Sequence, residues 1–265
     1  MHIFDQDTAL TPLDDGRFAT RISADWSINQ IPNGGYLMAL MARAMEQCSD
    51  KKATPIITAN FITRCCPGKA EIRVAPIAAS NQFSRLQAHL LQDGEEKIRA
   101  LGTFAQSNDS CPIERYETGP PQIAPRERCL EIPEMPGYTL FKPMEVRIDP
   151  ACAGWMTGTG LAERSEHRGW IRFRQPRPFD VPALLLAADA FPPPVLASQG
   201  MVAWVPTIEF SVSIRRNSQD EWLKGLFRTR FISCGLLEED GELWDAADRL
   251  VAVSRQIAQF RPATL

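Results

Sequence analysis

Two segments of this chain are apolar on nearly every side of a helix, and that limits the folds open to it. PNGGYLMALMARAMEQ (32–47) starts with Asn33 as an N-cap and then carries apolar side chains all round. VPALLLAADAFPPP (181–194) reads as three turns of apolar helix stopped by three prolines, with one misfit, Asp189. A helix without a polar face must be wrapped by other structure rather than laid on a surface.

What surrounds each helix repeats. In the first half a strand-like GRFATRI (16–22) precedes the helix. PIITANFITR (55–64), a segment near 70–79, a hairpin through Asp93-Gly94 and KIRALGTFAQ (97–106) follow it. The second half runs FKPMEVRI (141–148), GWIRFR (169–174), the helix 181–191, PTIEFSVSIR (206–215), WLKGLFRTRF (222–231), a hairpin through Asp240-Gly241 and LVAVSRQIAQ (250–259). Pro55 to Arg64 and Pro206 to Arg215 share a nine-residue spacing, both hairpins read D-G-E, and both last strands end in Ala-Gln. Two copies of one α+β unit are expected, each an antiparallel sheet around a central helix. Residues 107–138 are rich in Pro, Gly and charge and read as the connection, giving units 1–110 and 139–265 and a linker 111–138.

Composition narrows the function. With 265 residues, 44% of them hydrophobic, the chain can bury one large core or two small ones. A net charge of −3 lacks the basic stripe that nucleic acid requires. No window resembles a membrane span and the first residues lack signal-peptide order, so a soluble cytoplasmic protein is expected. The seven cysteines are odd in number without C-x-x-C spacing, which argues for free, mostly buried thiols rather than disulfides or zinc. The three histidines, His2, His89 and His167, fall in no metal or catalytic spacing, and no cofactor motif occurs.

Asp189 lies in the last turn of its helix, where the macrodipole disfavours a carboxylate and it cannot cap that helix. Burying it unpaired costs several kcal/mol, an expense usually retained for chemistry. The bland alternative is a bond to backbone amides of the Pro192–Pro194 turn. Gln256 shares a strand face with Leu250, Ala252, Ser254 and Ala258, hence faces inward and needs partners for both ends of its amide; the alternative is a glutamine that merely ties two strands together. Thr207 falls by alternation with Glu209, Ser211, Ser213 and Arg215 on the polar face, so facing inward requires that it sit before the regular strand begins or that a bulge re-aim it.

The PNGGY helix start, the D-x-x-P-P helix end, the P-T-I-E-F strand and the S-R-Q strand resemble the double-hotdog acyl-CoA thioesterases of the thioesterase II-like group. The resemblance implies two tandem hotdog folds and hydrolysis of an acyl-CoA, without metal or cofactor, by a water that Asp189, Thr207 and Gln256 bind. On that reading Gly34 and Gly35 bring helix N–H groups to the substrate, the alternative being that they serve only tight helix packing, and the Met-rich helix, Met41 included, lines an acyl tunnel or is plain core. Arg215 and Arg216, or Arg228 and Arg230, meet the CoA phosphates. Laying one half on the other sets Met41, Ile56 and Thr103 against Asp189, Thr207 and Gln256, so one site is expected, not two. A dehydratase is disfavoured because neither helix carries a histidine, whereas a non-catalytic acyl-CoA or fatty-acyl binding hotdog protein stays open. So does association into a homo-oligomer through free sheet edges.

Overall fold

The computed structural model describes residues 1–106 and 113–262; Cys111 and the expected domain boundary at 110/111 lie outside them. The first unit comprises β1 (Arg17–Ile22), α1 (Gly34–Cys48), β2 (Ala53–Phe61), β3 (Gly68–Ala79), β4 (Phe83–Gln92) and β5 (Glu95–Ala105). The second comprises β6 (Met144–Ile148), β7 (Ser165–Phe173), α2 (Val181–Ala187), β8 (Thr207–Ile214), β9 (Leu223–Thr229), β10 (Leu236–Trp244) and β11 (Leu250–Gln259).

One antiparallel sheet runs through both units in the order β1-β3-β4-β5-β2-β8-β11-β10-β9-β7-β6. From the β2–β8 seam outward the two halves repeat the same order, strand by strand. This is a tandem hotdog fold whose two sheets have merged. At the seam Phe210 pairs with Ala59 and Val212 with Ile57, all buried. The alternate residues face out: Thr58 bonds Ser211 at 2.8 Å and Asn60 donates to Glu209 at 3.2 Å. Both helices lie inside the curl, with ten of fifteen residues of α1 and all seven of α2 buried, as helices without a polar face require.

Two expectations about local structure change. The helix expected over 181–191 ends at Ala187 and tightens through the Asp189 N–H to Leu186 O bond at 3.1 Å, because Pro192–Pro194 supply no donors to continue it. The D-G-E match also misleads. Asp93 and Gly94, at φ 51° and 81°, do form a two-residue hairpin turn. Asp240 and Gly241, however, sit inside β10, and the turn before it is Cys234-Gly235 at φ 51° and 74°. Gly241 answers to space rather than curvature, since a Cβ there would lie 2.3 Å from Ser254 Oγ and 2.6 Å from the Phe227 ring.

The expected linker is largely docked on the second unit. Trp170 Nε1 donates to Ala124 O at 3.0 Å, the Ala124 N–H donates to Asp149 Oδ2 at 2.8 Å, and Leu130–Glu131 pairs with β6 as an edge strand. Of the six described cysteines, all free, Cys65, Cys129 and Cys152 are buried while Cys48, Cys66 and Cys234 are exposed, so the expectation of mostly buried thiols holds for half of them. Among the described residues no helix is long and apolar enough to cross a membrane.

Because each half covers the other's seam strand and helix, residues 1–110 and 139–265 expressed apart should be insoluble or unfolded by circular dichroism. Coexpression should recover a cooperatively melting complex; two separately stable, monomeric halves would contradict the shared core.

Candidate active site

The two helices pack with the start of α1 against the end of α2, and only glycine permits the approach. A Cβ on Gly35 would lie 2.4 Å from Leu185 O and 2.9 Å from Asp189 Cβ. One on Gly34 would lie 3.0 Å from the Phe61 ring and 3.1 Å from Asp189 Oδ2. The close approach at the glycine pair is therefore between helices, a packing role, and it delivers Asp189 to the open end of α1.

There the carboxylate acts as a cap in trans. Its Oδ2 accepts from the Gly35 N–H at 2.9 Å and from Asn33 Nδ2 at 2.8 Å, and Asn33 Nδ2 also reaches the Asp189 carbonyl at 2.8 Å. Asn33 Oδ1 meanwhile caps its own helix by accepting from the Tyr36 N–H at 2.9 Å. The partners of Asp189 are thus not the amides of the Pro192–Pro194 turn. Capping is excluded for α2 but realised for α1, where the positive helix end favours a carboxylate. Asp189 keeps a little exposed surface, but its carboxyl is enclosed. Burial pushes the pKa up to about 6, against the pull of the Gly35 and Gly34 amides and Asn33.

The bulge that Thr207 needs is present. Thr207 pairs with Ala258 while Glu209 pairs with Ile257, leaving Ile208 as the extra residue and turning Thr207 onto the inner face. Its hydroxyl donates to Gln256 Oε1 at 3.1 Å. Gln256 is buried and faces inward, with Arg255 beside it exposed, as the alternation requires.

Sequence reasoning missed Glu239. It sits on β10 directly opposite Gln256, is buried, and leaves Oε2 without a hydrogen-bond partner. Burial raises its pKa well above the usual range, and the negative charges of Asp189 and Asp240 add to this. The signal was the alternation of Leu237, Glu239, Gly241 and Leu243, which a turn at Asp240-Gly241 would have broken.

Other candidates lie elsewhere. Arg215 and Arg216 follow the far end of β8, about 26 Å from Thr207 at the usual strand rise, and Arg216 pairs with Glu114. Arg228 and Arg230 alternate onto the outer face and pair with Glu242 and Asp240. Met41 is wholly buried within α1.

The overlay of halves shifts as well. Matching the N-caps Asn33 and Asp180 sets Ala42, not Met41, against Asp189. Through the shared Ala59–Phe210 pair, Ala100 and not Thr103 stands where Gln256 does, because the Ala-Gln ends of the two last strands are not equivalent: Ala100 pairs with Ala59 as Gln256 pairs with Phe210, and β5 runs further past that pair than β11 does. At the equivalent helix start Asp180 caps its own helix and pairs with Arg177 at 2.6 Å, with Arg43 at 3.9 Å and Asp5 completing the cluster. Among the described residues no group of three or more His, Cys, Asp or Glu is placed to hold a metal.

Residues 22–105 match the family model of the acyl-CoA thioesterase N-terminal domain and residues 110–260 that of the C-terminal domain. No curated protein matches the sequence. Among solved structures, a candidate thioesterase II from Thermobifida fusca is similar at 24% identity and a TM-score of 0.87, over 98% of each chain. A hotdog protein of unknown function from Alicyclobacillus acidocaldarius is similar at 22% identity and 0.88, over all of both chains. The acyl-CoA thioesterase II TesB2 of Mycobacterium marinum is similar at 16% and 0.75, over 98% of this chain and 99% of its own. At these identities the likeness is one of fold.

Gly35→Ala should lower stability by about 1–3 kcal/mol through overpacking against Leu185, read as a fall in Tm. For Asp189 the folded-state pKa is raised, so its contribution to stability is fully present below the ordinary carboxyl pKa and is lost as pH rises to about 6. The stability of the wild type relative to Asp189→Asn should therefore drop by about 2–3 kcal/mol between roughly pH 4 and 6 and stay level above, measured by urea unfolding. A pH-independent difference would contradict a carboxyl whose burial outweighs its hydrogen bonds.

Proposed function

The chain belongs to the acyl-CoA thioesterase family, and from that premise we propose that it hydrolyses an acyl-CoA thioester to free acid and CoA, with Asp189 as base and Thr207 and Gln256 as partners of the attacking water. The observation that carries this reading is a carboxyl buried at a helix start with its pKa near 6. Such a group is mostly ionised at neutral pH and still basic enough to take a proton from water.

The steps need few parts. A thioester carbonyl is electrophilic enough for direct attack by a held water. Gln256 and Thr207, joined by their own hydrogen bond, present amide N–H and hydroxyl groups to orient that water while the free Asp189 oxygen accepts its proton. As negative charge moves from Asp189 to the substrate oxygen, Asp189 accepts less strongly from the Gly35 N–H. The positive end of α1 is then available to the oxyanion. Collapse of the tetrahedral species breaks the C–S bond, and the CoA thiolate takes back the proton from Asp189.

The first unit lacks these groups. With Ala42 and Ala100 in the matching places it has neither base nor amide, so one site per chain is proposed. Met41, in the neighbouring turn of α1, is assigned to the wall around the acyl chain.

Purified protein should release CoA, read with a thiol reagent, from at least one member of an acyl-CoA panel, with no loss on chelation. Silence across short, long, branched and aromatic acyl groups would favour the non-catalytic binder. Asp189→Asn should lower kcat about a hundredfold or more while the protein still melts cooperatively. In the wild type log kcat/KM should climb with pH up to about 6 and then level, as Asp189 ionises. A profile flat from pH 4 to 8, or a fully active Asp189→Asn, would remove Asp189 from the chemistry.

A further inference from the structure

Beyond Gln256 the inner face of the second sheet turns polar in a way the hydrolysis does not use. Glu239 lies opposite Gln256 on β10. Thr229 follows the Arg228–Asp240 pair and so flanks Glu239 on β9, and it pairs in turn with Ser165 of β7. Two residues along β7, on the same face, is His167, whose ring lies 5.6 Å from that of Trp155. Glu239 Oε2, Thr229 Oγ1, His167 Nε2 and Trp155 Nε1 are all buried without a hydrogen-bond partner. Glu239, Thr229 and His167 are each more than nine-tenths buried. Buried polar groups are nearly always paired, so four unpaired ones in one patch call for something that pairs with them.

The chemistry of that partner is restricted. His167 Nδ1 lies 3.0 Å from the Pro192 carbonyl, which only accepts, so Nδ1 carries the proton and Nε2 is left as a bare acceptor. Burial keeps this imidazole neutral, with its pKa pushed down to about 4, and raises the Glu239 carboxyl well above the usual carboxylate range, which favours its acid form. In that form Glu239 offers an O–H donor and a carbonyl acceptor. The arginines of the neighbouring strands turn away from this patch: Arg228, Arg230 and Arg255 point to the outer face, paired with Glu242 and Asp240. A carboxylate tail would be left uncompensated here, whereas a neutral oxygen finds donor and acceptor together. Neighbouring strands are about 4.8 Å apart, so Glu239 is one strand step from Gln256 and Thr229 two, close to the carbonyl end of any chain lying across the sheet.

We propose that Glu239, Thr229 and His167 form a hydrogen-bonding subsite for an acyl group that carries an uncharged oxygen, a hydroxyl or keto group, within the first few carbons from the thioester. The proposal rests on the reading that puts the scissile thioester at Asp189 and Gln256, and it names the substrate class of that same site.

The test uses non-hydrolysable CoA thioethers of equal chain length, unsubstituted or carrying a hydroxyl at the third, fourth or fifth carbon, with Kd read by tryptophan fluorescence on the full chain. At least one hydroxylated analogue should bind wild type tenfold or more tighter than the unsubstituted one. That ratio should fall to near one in Glu239→Met, keep a several-fold value in Glu239→Gln, which retains a donor and an acceptor, and fall partway in Thr229→Val. Should Glu239→Met not fold, the other two variants and the wild-type ratio decide. Equal affinities in wild type, a ratio unchanged in Glu239→Met or in Thr229→Val, or tighter binding of a carboxylate-tailed analogue overturns the subsite. Hydrolysis of thioesters without the preference removes the subsite alone; the preference without hydrolysis removes the hydrolase reading alone.

Discussion

The contact between the Asp189 carboxylate and the first turn of α1 is the interaction on which the arrangement depends. A helix start needs acceptors for its free N–H groups, and here one comes from Asn33 within the unit and one from the other unit. The same bond ties the halves together, and the buried setting that surrounds it lifts the pKa of the acid toward neutrality. Gly35 follows from it, because any side chain would hold α2 too far away for the carboxylate to reach. So does the early end of α2, where the proline run stops the helix and leaves Asp189 beyond its last regular turn.

Duplication supplies two such helix starts, and the chain has used them differently. At the start of α2 the cap is local, and Arg177, Arg43 and Asp5 surround Asp180 with an ion-pair cluster. Alanines at 42 and 100 leave no titrating group in the positions that match Asp189 and Gln256. Ala88, which pairs with Ala100, likewise occupies the place of Glu239. The first unit is thus apolar where the second carries its polar row.

That polar row also shows why alternation governs this protein. Residues of β10 and β11 divide between an outer face of paired arginines and acids and an inner face that carries Gln256 and Glu239. On the outer face the charges are solvated and add little. On the inner face burial disfavours an unpaired charge, which is why the pKa of the Glu239 carboxyl is raised well above the usual range there.

Periodicity alone revealed the two wrapped helices, the repeated order of strands, the inward-facing Gln256, the N-cap Asn33 and the misfit carboxylate Asp189. These are properties of neighbours along the chain, where the spacing of apolar residues reports burial directly. The sequence also stated the conditions under which Thr207 would face inward, a place before the regular strand or a bulge, though not which of them held. What needed the tertiary structure was every relation across the chain. Whether a D-G pair turns or lies flat depends on what packs against the glycine, so Asp240-Gly241 reads like Asp93-Gly94 and behaves otherwise. The distance of Arg215 and Arg216 from the site depends on which end of a strand the site occupies. The trans cap at Gly35 and the place of Glu239 opposite Gln256 depend on helix approach and strand register, and sequence spacing carries no record of either.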